Sequence, residues 1–209
     1  MSFAILLDTL KLDVAKAMLY GDFLLSTNRF SEVWIGTLNT GEVRKRVCDL
    51  LANFWRRYLE ENKGNYLLVN IEQFEETPES SLSINAIAKE AVEMVNHPDL
   101  HFENVFVDPD SFEVSIAEHP QDVTMLMFVE PSVPHDLLIV ACKHLQELGY
   151  TVKEIITPVE RKQSREPEIR NDLQLEFIPF LVYEEQHDKL YTITELNEEP
   201  YSRYHDYFL

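Results

Sequence analysis

Residues 123–159 read as a strand, a turn, a helix and a second strand, and this order constrains the fold more than any other part of the sequence. VTMLMF is a short apolar run, and Pro134 stands where the first turn of a helix accepts a proline. Gly149 ends the helical pattern, and the β-branched run TVKEIITPV follows it. Because a helical connection joins parallel strands, this stretch predicts a β-α-β unit.

A unit of the same plan lies earlier in the chain, within residues 30–75. It contains the apolar run EVWIGTL, a long helical stripe that ends at Gly64, and the strand pattern NYLLVNI. We therefore predict an α/β fold with a mixed, largely parallel sheet from two β-α-β units, flanked by helices and completed by antiparallel hairpins. Whether residues 30–75 and 122–160 are a duplication or only two units of a common type stays open.

The whole chain, residues 1–209, is expected to form a single domain. Its 209 residues are 45% hydrophobic, which is enough to bury one core. Apolar positions three and four residues apart predict an amphipathic helix from Phe3 to near Gly21. Residues 160–172 are polar and predict a loop, two strands flank EEQHDK, and residues 197–209 form an acidic aromatic tail.

The apolar segments indicate a cytoplasmic protein. None reaches the roughly 18 residues that a membrane span requires, and the first segment contains Asp8 and Lys11, which a signal peptide would exclude. The two cysteines, Cys48 and Cys142, lie in apolar helical patterns, so we expect buried free thiols rather than a disulfide or a zinc site.

The net charge favours a basic protein as the partner. The chain has 37 acidic and 18 basic residues, a formal charge of -19, which repels a nucleic-acid backbone and attracts cationic surfaces. Aromatic side chains among acids are typical of a protein-binding surface. The predicted partner-binding residues are Glu184, Glu185, Asp188, Glu198, Glu199, Tyr201, Tyr204, Tyr207 and Phe208. The alternative is that the acids maintain solubility and the C-terminal aromatics fold back on the core of the chain.

Motifs for phosphate or metal binding are missing from the sequence. It has five glycines and neither GxGxxG nor GxxxxGK[ST], so a conventional mononucleotide or dinucleotide enzyme is not expected. His97 and His101 have a metal-like spacing, but Pro98 breaks the helix that would align them. We therefore predict no cofactor and no metal.

The turn EPSVPHD is the one place where the sequence suggests catalysis. In an open parallel sheet, ligands bind beyond the carboxyl ends of the strands, where this turn would lie. Its potential catalytic residues are Glu130, Ser132, His135 and Asp136. A serine nucleophile needs a base within hydrogen-bond reach, which spacing alone does not establish. The same residues also make an ordinary helix entry, in which the aspartate favours the helix dipole.

Two functional hypotheses follow from these observations. The first is a non-catalytic, acidic cytosolic protein-binding module, either an adaptor subunit or an inhibitor of a basic partner such as a nucleic-acid-binding protein. The alternative is a small hydrolase or nuclease whose site lies at the carboxyl-end loops of the sheet. The low glycine content and the acidic surface favour the first, so the sequence leans against enzymatic activity without deciding it.

Overall fold

The chain folds around a mixed sheet in which parallel strands lie between two antiparallel edge strands. This computed structural model describes residues 2–26, 29–35, 41–73, 84–108, 111, 113–117, 123–128, 135–162 and 174–208. For 20–26, 29–35, 72–73, 84–86 and 135–137 it describes the backbone alone.

Four helices and nine strands make up the regular structure of the described residues, together with short 3₁₀ segments. The helices are α1 Phe3–Ala17, α2 Gly41–Glu61, α3 Ile84–Val95 and α4 His135–Glu147. The strands are β1 Met18–Ser26, β2 Arg29–Ile35, β3 Tyr66–Gln73, β4 Leu100–Val107, β5 Val114–Ser115, β6 Thr124–Phe128, β7 Thr151–Lys162, β8 Glu176–Glu184 and β9 Lys189–Thr192. The last 3₁₀ segment, Tyr201–Phe208, is called the C-terminal segment below.

The main sheet has seven strands in the order β5-β4-β3-β6-β7-β8-β9. The strands β3, β4, β6, β7 and β8 are parallel to their neighbours in that group, and β5 and β9 close the two edges as antiparallel strands. The mixed α/β class with a largely parallel sheet is therefore confirmed. Its central strands are apolar runs, as expected for strands that helices cover on both faces.

Two hydrophobic clusters lie on the two faces of this sheet. The larger one joins α1, α2, α3 and the C-terminal segment to one face, with Trp55 and Phe54 of α2 fully buried in it. The smaller one joins α4 to the opposite face through residues such as Leu138 and Leu145. Burial of these apolar faces, rather than helix propensity, holds the helices in place.

The first strands depart from the predicted plan. β1 and β2 form a separate antiparallel sheet of two strands, so the strand before α2 does not belong to the main sheet. The β-α-β units of the main sheet are instead β3-α3-β4 and β6-α4-β7. α1 also ends at Ala17 rather than near Gly21, because Met18 already has extended backbone and pairs with Ile35 of β2. Strand pairing here overrides a helical pattern.

Among the described residues, no helix is both long and apolar enough to cross a membrane.

Candidate functional site

The order of the strands reverses between β3 and β6. The chain passes from β3 through α3 to β4 on one side, and from β6 through α4 to β7 on the other. At such a reversal the connections leave in opposite directions and open a crevice beyond the carboxyl ends of the strands, where open α/β sheets bind ligands. Asn70 of β3 pairs with Phe128 of β6 at this point. The side of the sheet beyond these two residues is called the carboxyl edge, and the opposite side the amino edge.

The turn that the sequence marks as potentially catalytic starts from the carboxyl edge. β6 ends at Phe128, and α4 begins at His135. Glu130 and Ser132 lie outside the described residues, and only the backbone of His135 and Asp136 is described, in the first turn of α4. The ends of the turn are thus where the sequence predicts them, and a catalytic role of its side chains stays a prediction.

β7 and β8 form a wall above the carboxyl edge. Phe128 pairs with Ile156, and β7 continues from there to Lys162, a rise of about 20 Å at roughly 3.3 Å per residue. β8 accompanies it, with Arg161 opposite Tyr183 in the parallel register. Both strands are long because their side chains remain buried nearly to the end.

Arg161 is the buried cation of this wall. It is 6% exposed, and no other lysine or arginine is buried among the residues whose side chains are described. Its Nη1 lies 3.4 Å from Oε1 of Glu185, which is partly exposed. A guanidinium binds carboxylates and phosphates with two parallel hydrogen bonds, so a buried arginine beside a ligand crevice suits an anionic ligand.

Lys162 lies at the end of the same strand and contacts two carboxylates. Its Nζ is 3.7 Å from Oε1 of Glu184 and also binds Glu198. Glu184 accepts a hydrogen bond of 2.8 Å from Nδ1 of His187. The pKa of Glu184 is lowered, first by this hydrogen bond and then by the neighbouring lysine charge. Lys162 and His187 thus both contact the carboxylate of Glu184 at the carboxyl edge.

A second polar cluster lies near the amino edge, on the face that α2 covers. The pairing of β6 with β7 shifts register between Met125 and Leu126, which leaves Lys153 as an extra residue in β7. Lys153 therefore approaches the same neighbours as Glu154: its Nζ donates to the hydroxyl of Tyr58 at 2.8 Å and lies 3.7 Å from Oε1 of Glu154.

Glu154 is a buried carboxyl in this cluster. It is 6% exposed, and Oε2 has no hydrogen-bond partner among the described residues. Burial raises the pKa of Glu154, which Lys153 and Tyr58 offset only in part. The pKa of Tyr58 is raised as well, by burial and by the charge of Glu154. Sequence reasoning missed this cluster; the signal was the pair Lys-Glu inside the otherwise apolar pattern of β7.

The C-terminal aromatic residues pack on the core of the chain. Tyr201 is 2% exposed, Tyr204 5% and Phe208 0%. The hydroxyl oxygen of Tyr207 accepts a hydrogen bond of 3.3 Å from Nδ2 of Asn62. These rings are therefore part of the fold, which is the alternative that the sequence left open.

The acidic residues predicted to accompany these rings mostly form ion pairs within the chain. Glu184, Glu185 and Glu198 contact the cations of β7, and Glu199 accepts a hydrogen bond from Arg203. Asp188 accepts one from Tyr183. They stabilise local structure, and we do not assign them to a partner.

Cys48 and Cys142 are free and buried. Burial raises the pKa of each thiol to about 12.

Among the described residues, no three His, Cys, Asp or Glu side chains form a group that could hold a metal ion.

Solved phosphoribosyltransferases share this fold. The orotate phosphoribosyltransferase of Francisella tularensis is 12% identical; the likeness covers 95% of this chain and 96% of that chain, with a TM-score of 0.51. The orotate phosphoribosyltransferase of Mycobacterium tuberculosis, solved with inorganic phosphate, is 15% identical over 84% of this chain and 95% of that chain, with a TM-score of 0.52.

The likeness extends to a phosphoribosyltransferase named for a different base. The adenine phosphoribosyltransferase of Saccharomyces cerevisiae, solved with an imino-altritol bisphosphate and adenine, is 10% identical over 82% of this chain and 98% of that chain, with a TM-score of 0.51. No protein-family model matches the sequence, and no curated protein matches it. The chain therefore has the α/β fold of the phosphoribosyltransferases, at identities that establish the fold alone.

This likeness corrects the functional prediction. The solved structures that share the fold over most of their length are enzymes of phosphoribosyl transfer, so the prediction of a non-catalytic adaptor or inhibitor is wrong. The prediction of a basic protein partner is wrong for the same reason. Charge misled the sequence reasoning because much of the acidity at the C-terminus is used in internal ion pairs.

Proposed function

We propose that this protein is an enzyme that binds a phosphorylated ribose at the carboxyl edge and transfers it to an acceptor. The observation that carries the proposal is the whole-chain likeness to orotate and adenine phosphoribosyltransferases, which covers at least 95% of each of the three solved chains described above. The names of these enzymes have the phosphoribosyl group in common and differ in the base. The phosphoribosyl group is therefore the part of the reaction that we assign to this fold.

The geometry of the carboxyl edge supports an anionic ligand. The chain has a formal charge of -19, so an anion is repelled unless a local cation compensates. Arg161 is a buried cation in the part of β7 that extends past the carboxyl edge, where it pairs with Glu185. Because a guanidinium in a low-dielectric site binds an anion more strongly than in water, it would bind the ligand in exchange for its contact with Glu185.

The reaction would exchange one bond at the anomeric carbon of the ribose. The bond from this carbon to a diphosphate leaving group breaks, a bond to a nitrogen of the acceptor forms, and diphosphate is released. Catalysis of such a transfer rests on positioning the two reactants and on stabilising the charge that develops on the leaving group.

The proposal includes a cytoplasmic location, supported by the two free buried thiols.

The test is a binding and turnover assay on the full chain. Calorimetric titration compares 5-phosphoribosyl diphosphate, ribose 5-phosphate and ribose, and mass spectrometry follows formation of a nucleoside monophosphate with orotate or adenine, with and without Mg²⁺. We expect binding of the two phosphorylated sugars, no binding of ribose, and a product with at least one acceptor. If neither phosphorylated sugar binds and none is consumed, the proposal is wrong.

A further inference from the structure

The buried guanidinium of Arg161 contacts a carboxylate that lies at the surface. The side chain of Arg161 is 4% exposed, whereas that of Glu185 is 36% exposed. Glu185 begins the short 3₁₀ segment Glu185–His187, which follows the end of β8. The carboxylate of this ion pair therefore reaches solvent, and the guanidinium behind it does not.

The contact between these two side chains is long for an ion pair. Nη1 of Arg161 lies 3.4 Å from Oε1 of Glu185, whereas charge-assisted hydrogen bonds of this kind are typically about 2.7–2.9 Å long. The exposed Arg203 is held more closely, at 2.8 Å from Glu176 and 3.0 Å from Glu199. A buried charge needs close and well-directed partners more than an exposed one does. An oxyanion that binds the guanidinium with two parallel hydrogen bonds would therefore be a better partner than Glu185.

Other contacts hold the turn that carries Glu185. On one side of it, Nδ1 of His187 donates a hydrogen bond of 2.8 Å to Glu184. On the other side, the hydroxyl of Tyr183 donates a hydrogen bond of 2.8 Å to Asp188. Rotation of one side chain can therefore move the Glu185 carboxylate away from the guanidinium while the turn keeps its place.

We propose that Glu185 is an internal counter-anion of the ligand site, which an oxyanion of the ligand, a phosphate or a carboxylate, displaces from Arg161. The inference rests on the proposed function, from which the candidate ligands are taken. Glu185 makes the site selective for charge. A neutral ligand does not compensate for the lost ion pair, whereas an anionic ligand replaces it with a closer one.

The ion pair also lowers the affinity for the anionic ligand. Only those molecules in which Glu185 has left Arg161 can bind the oxyanion, so the apparent dissociation constant is the intrinsic one divided by their fraction. The pair is partly exposed and its contact is long, so we expect this factor to be modest, about three- to tenfold. Removal of the Glu185 charge should therefore tighten anion binding.

Calorimetric titration of the full chain and of Glu185→Gln tests this inference. The probes are 5-phosphoribosyl diphosphate, inorganic diphosphate, orotate and uncharged adenine, so that phosphate, carboxylate and neutral ligands are compared. At least one anionic probe should bind Glu185→Gln about three- to tenfold more tightly than it binds the wild type, and adenine should show no gain. Glu185→Ala should behave in the same way. Thermal midpoints confirm that the proteins are folded at the temperature of titration.

Glu198→Gln is the matched control. It removes the same charge from the same edge of the sheet, because Glu198 is 54% exposed and pairs with Lys162, the residue after Arg161. Its effect reports the general decrease in repulsion, which we expect to be less than about twofold. The double variant Glu185→Gln/Arg161→Gln should lose the gain of Glu185→Gln, because that gain requires the guanidinium.

The outcomes separate this inference from the proposed function. If the wild type binds and consumes 5-phosphoribosyl diphosphate, but Glu185→Gln and Glu198→Gln bind every anion equally, the inference is wrong and the proposed function is retained. If an anion binds with the expected dependence on Glu185 and Arg161 but no phosphorylated sugar is consumed, the inference is retained without the proposed function. A gain that persists in the double variant, or no anion binding to Glu185→Gln, would overturn the inference.

Discussion

The ring of Phe3 meets the ring of Phe208 edge to face, with centroids 5.2 Å apart. The first residue of α1 thereby contacts the last residue of the C-terminal segment. Phe208 also lies 5.8 Å from Phe54 of α2 and 5.7 Å from Phe180 of β8. This one ring therefore joins both ends of the described chain to the main sheet.

Phe208→Ala should lower the free energy of unfolding by about 3–5 kcal/mol, because it opens a cavity where a fully buried ring contacts three others. Urea denaturation followed by tryptophan fluorescence measures this change. Met94→Ala, at a position 41% exposed, is the control and should change the free energy by less than about 0.5 kcal/mol. A loss below about 1 kcal/mol for Phe208→Ala would mean that the C-terminal segment does not stabilise the fold.

Glu154→Gln should make the protein more stable at neutral and higher pH. The folded state raises the pKa of Glu154 by burial, so folding favours the protonated carboxyl. Below the unfolded pKa of about 4.3 the carboxyl is protonated in both states and does not lower the free energy of unfolding. As the pH rises from there through the raised folded pKa, ionisation of this carboxyl lowers the free energy of unfolding. The thermal midpoints of the variant and the wild type should therefore be nearly equal at about pH 4. From there to about pH 9 the midpoint of the variant should become increasingly higher than that of the wild type. A constant difference at every pH would contradict the prediction.

Arg161→Gln should weaken binding of 5-phosphoribosyl diphosphate by about tenfold or more if the carboxyl edge binds it, because a charge-assisted hydrogen bond to a buried group contributes on the order of 1.5–3 kcal/mol. Arg203→Gln is the matched control. It removes a guanidinium that is 46% exposed and pairs with Glu176 at the start of β8, far from the carboxyl edge. Calorimetry at a temperature where both variants are folded separates lost binding from lost stability. Equal affinities of the two variants would exclude Arg161 from the ligand site.

The thiols of Cys48 and Cys142 should resist alkylation in the folded protein. The thiolate is the reactive form, and burial raises both pKa values to about 12, so little thiolate exists at pH 8. Mass spectrometry after treatment with iodoacetamide should find at most slow labelling of the folded protein in buffer. In about 6 M urea, which unfolds the chain, both residues should be labelled rapidly. Rapid labelling of the native protein would contradict the burial of these side chains.

Local pattern predicted the elements that are long, periodic and bounded by clear stop residues. The stretch from β6 to β7 was predicted within one or two residues at most boundaries, because Pro134 and Gly149 mark the ends of a helix with an apolar stripe. The hairpin of β1 and β2 was partly missed, since its first strand continues an amphipathic helical pattern. Pairing with β2 decided the structure of this segment, and the residue pattern of one strand does not show which strand it pairs with.

Only part of the candidate site could be predicted from the sequence. The sequence placed a turn beyond the carboxyl end of β6, which follows from the general rule for open parallel sheets. It did not identify Arg161, which stands beside a polar stretch and reads as an exposed loop residue. Its burial depends on how far β7 and β8 pair beyond the other strands. The polar cluster around Glu154 was missed for the same kind of reason, because a shift in register brings Lys153 to Tyr58.

The sequence by itself determined the α/β class, the parallel unit around α4 and the burial of both thiols, since these depend on periodicity and on residues close together in the chain. Tertiary structure alone decided the strand order, and with it the reversal between β3 and β6 that locates the candidate site. It also decided that the C-terminal rings belong to the core and that many nearby acids are paired internally. Side-chain chemistry is local, but which charges meet and which remain in solvent depends on contacts between residues distant in sequence.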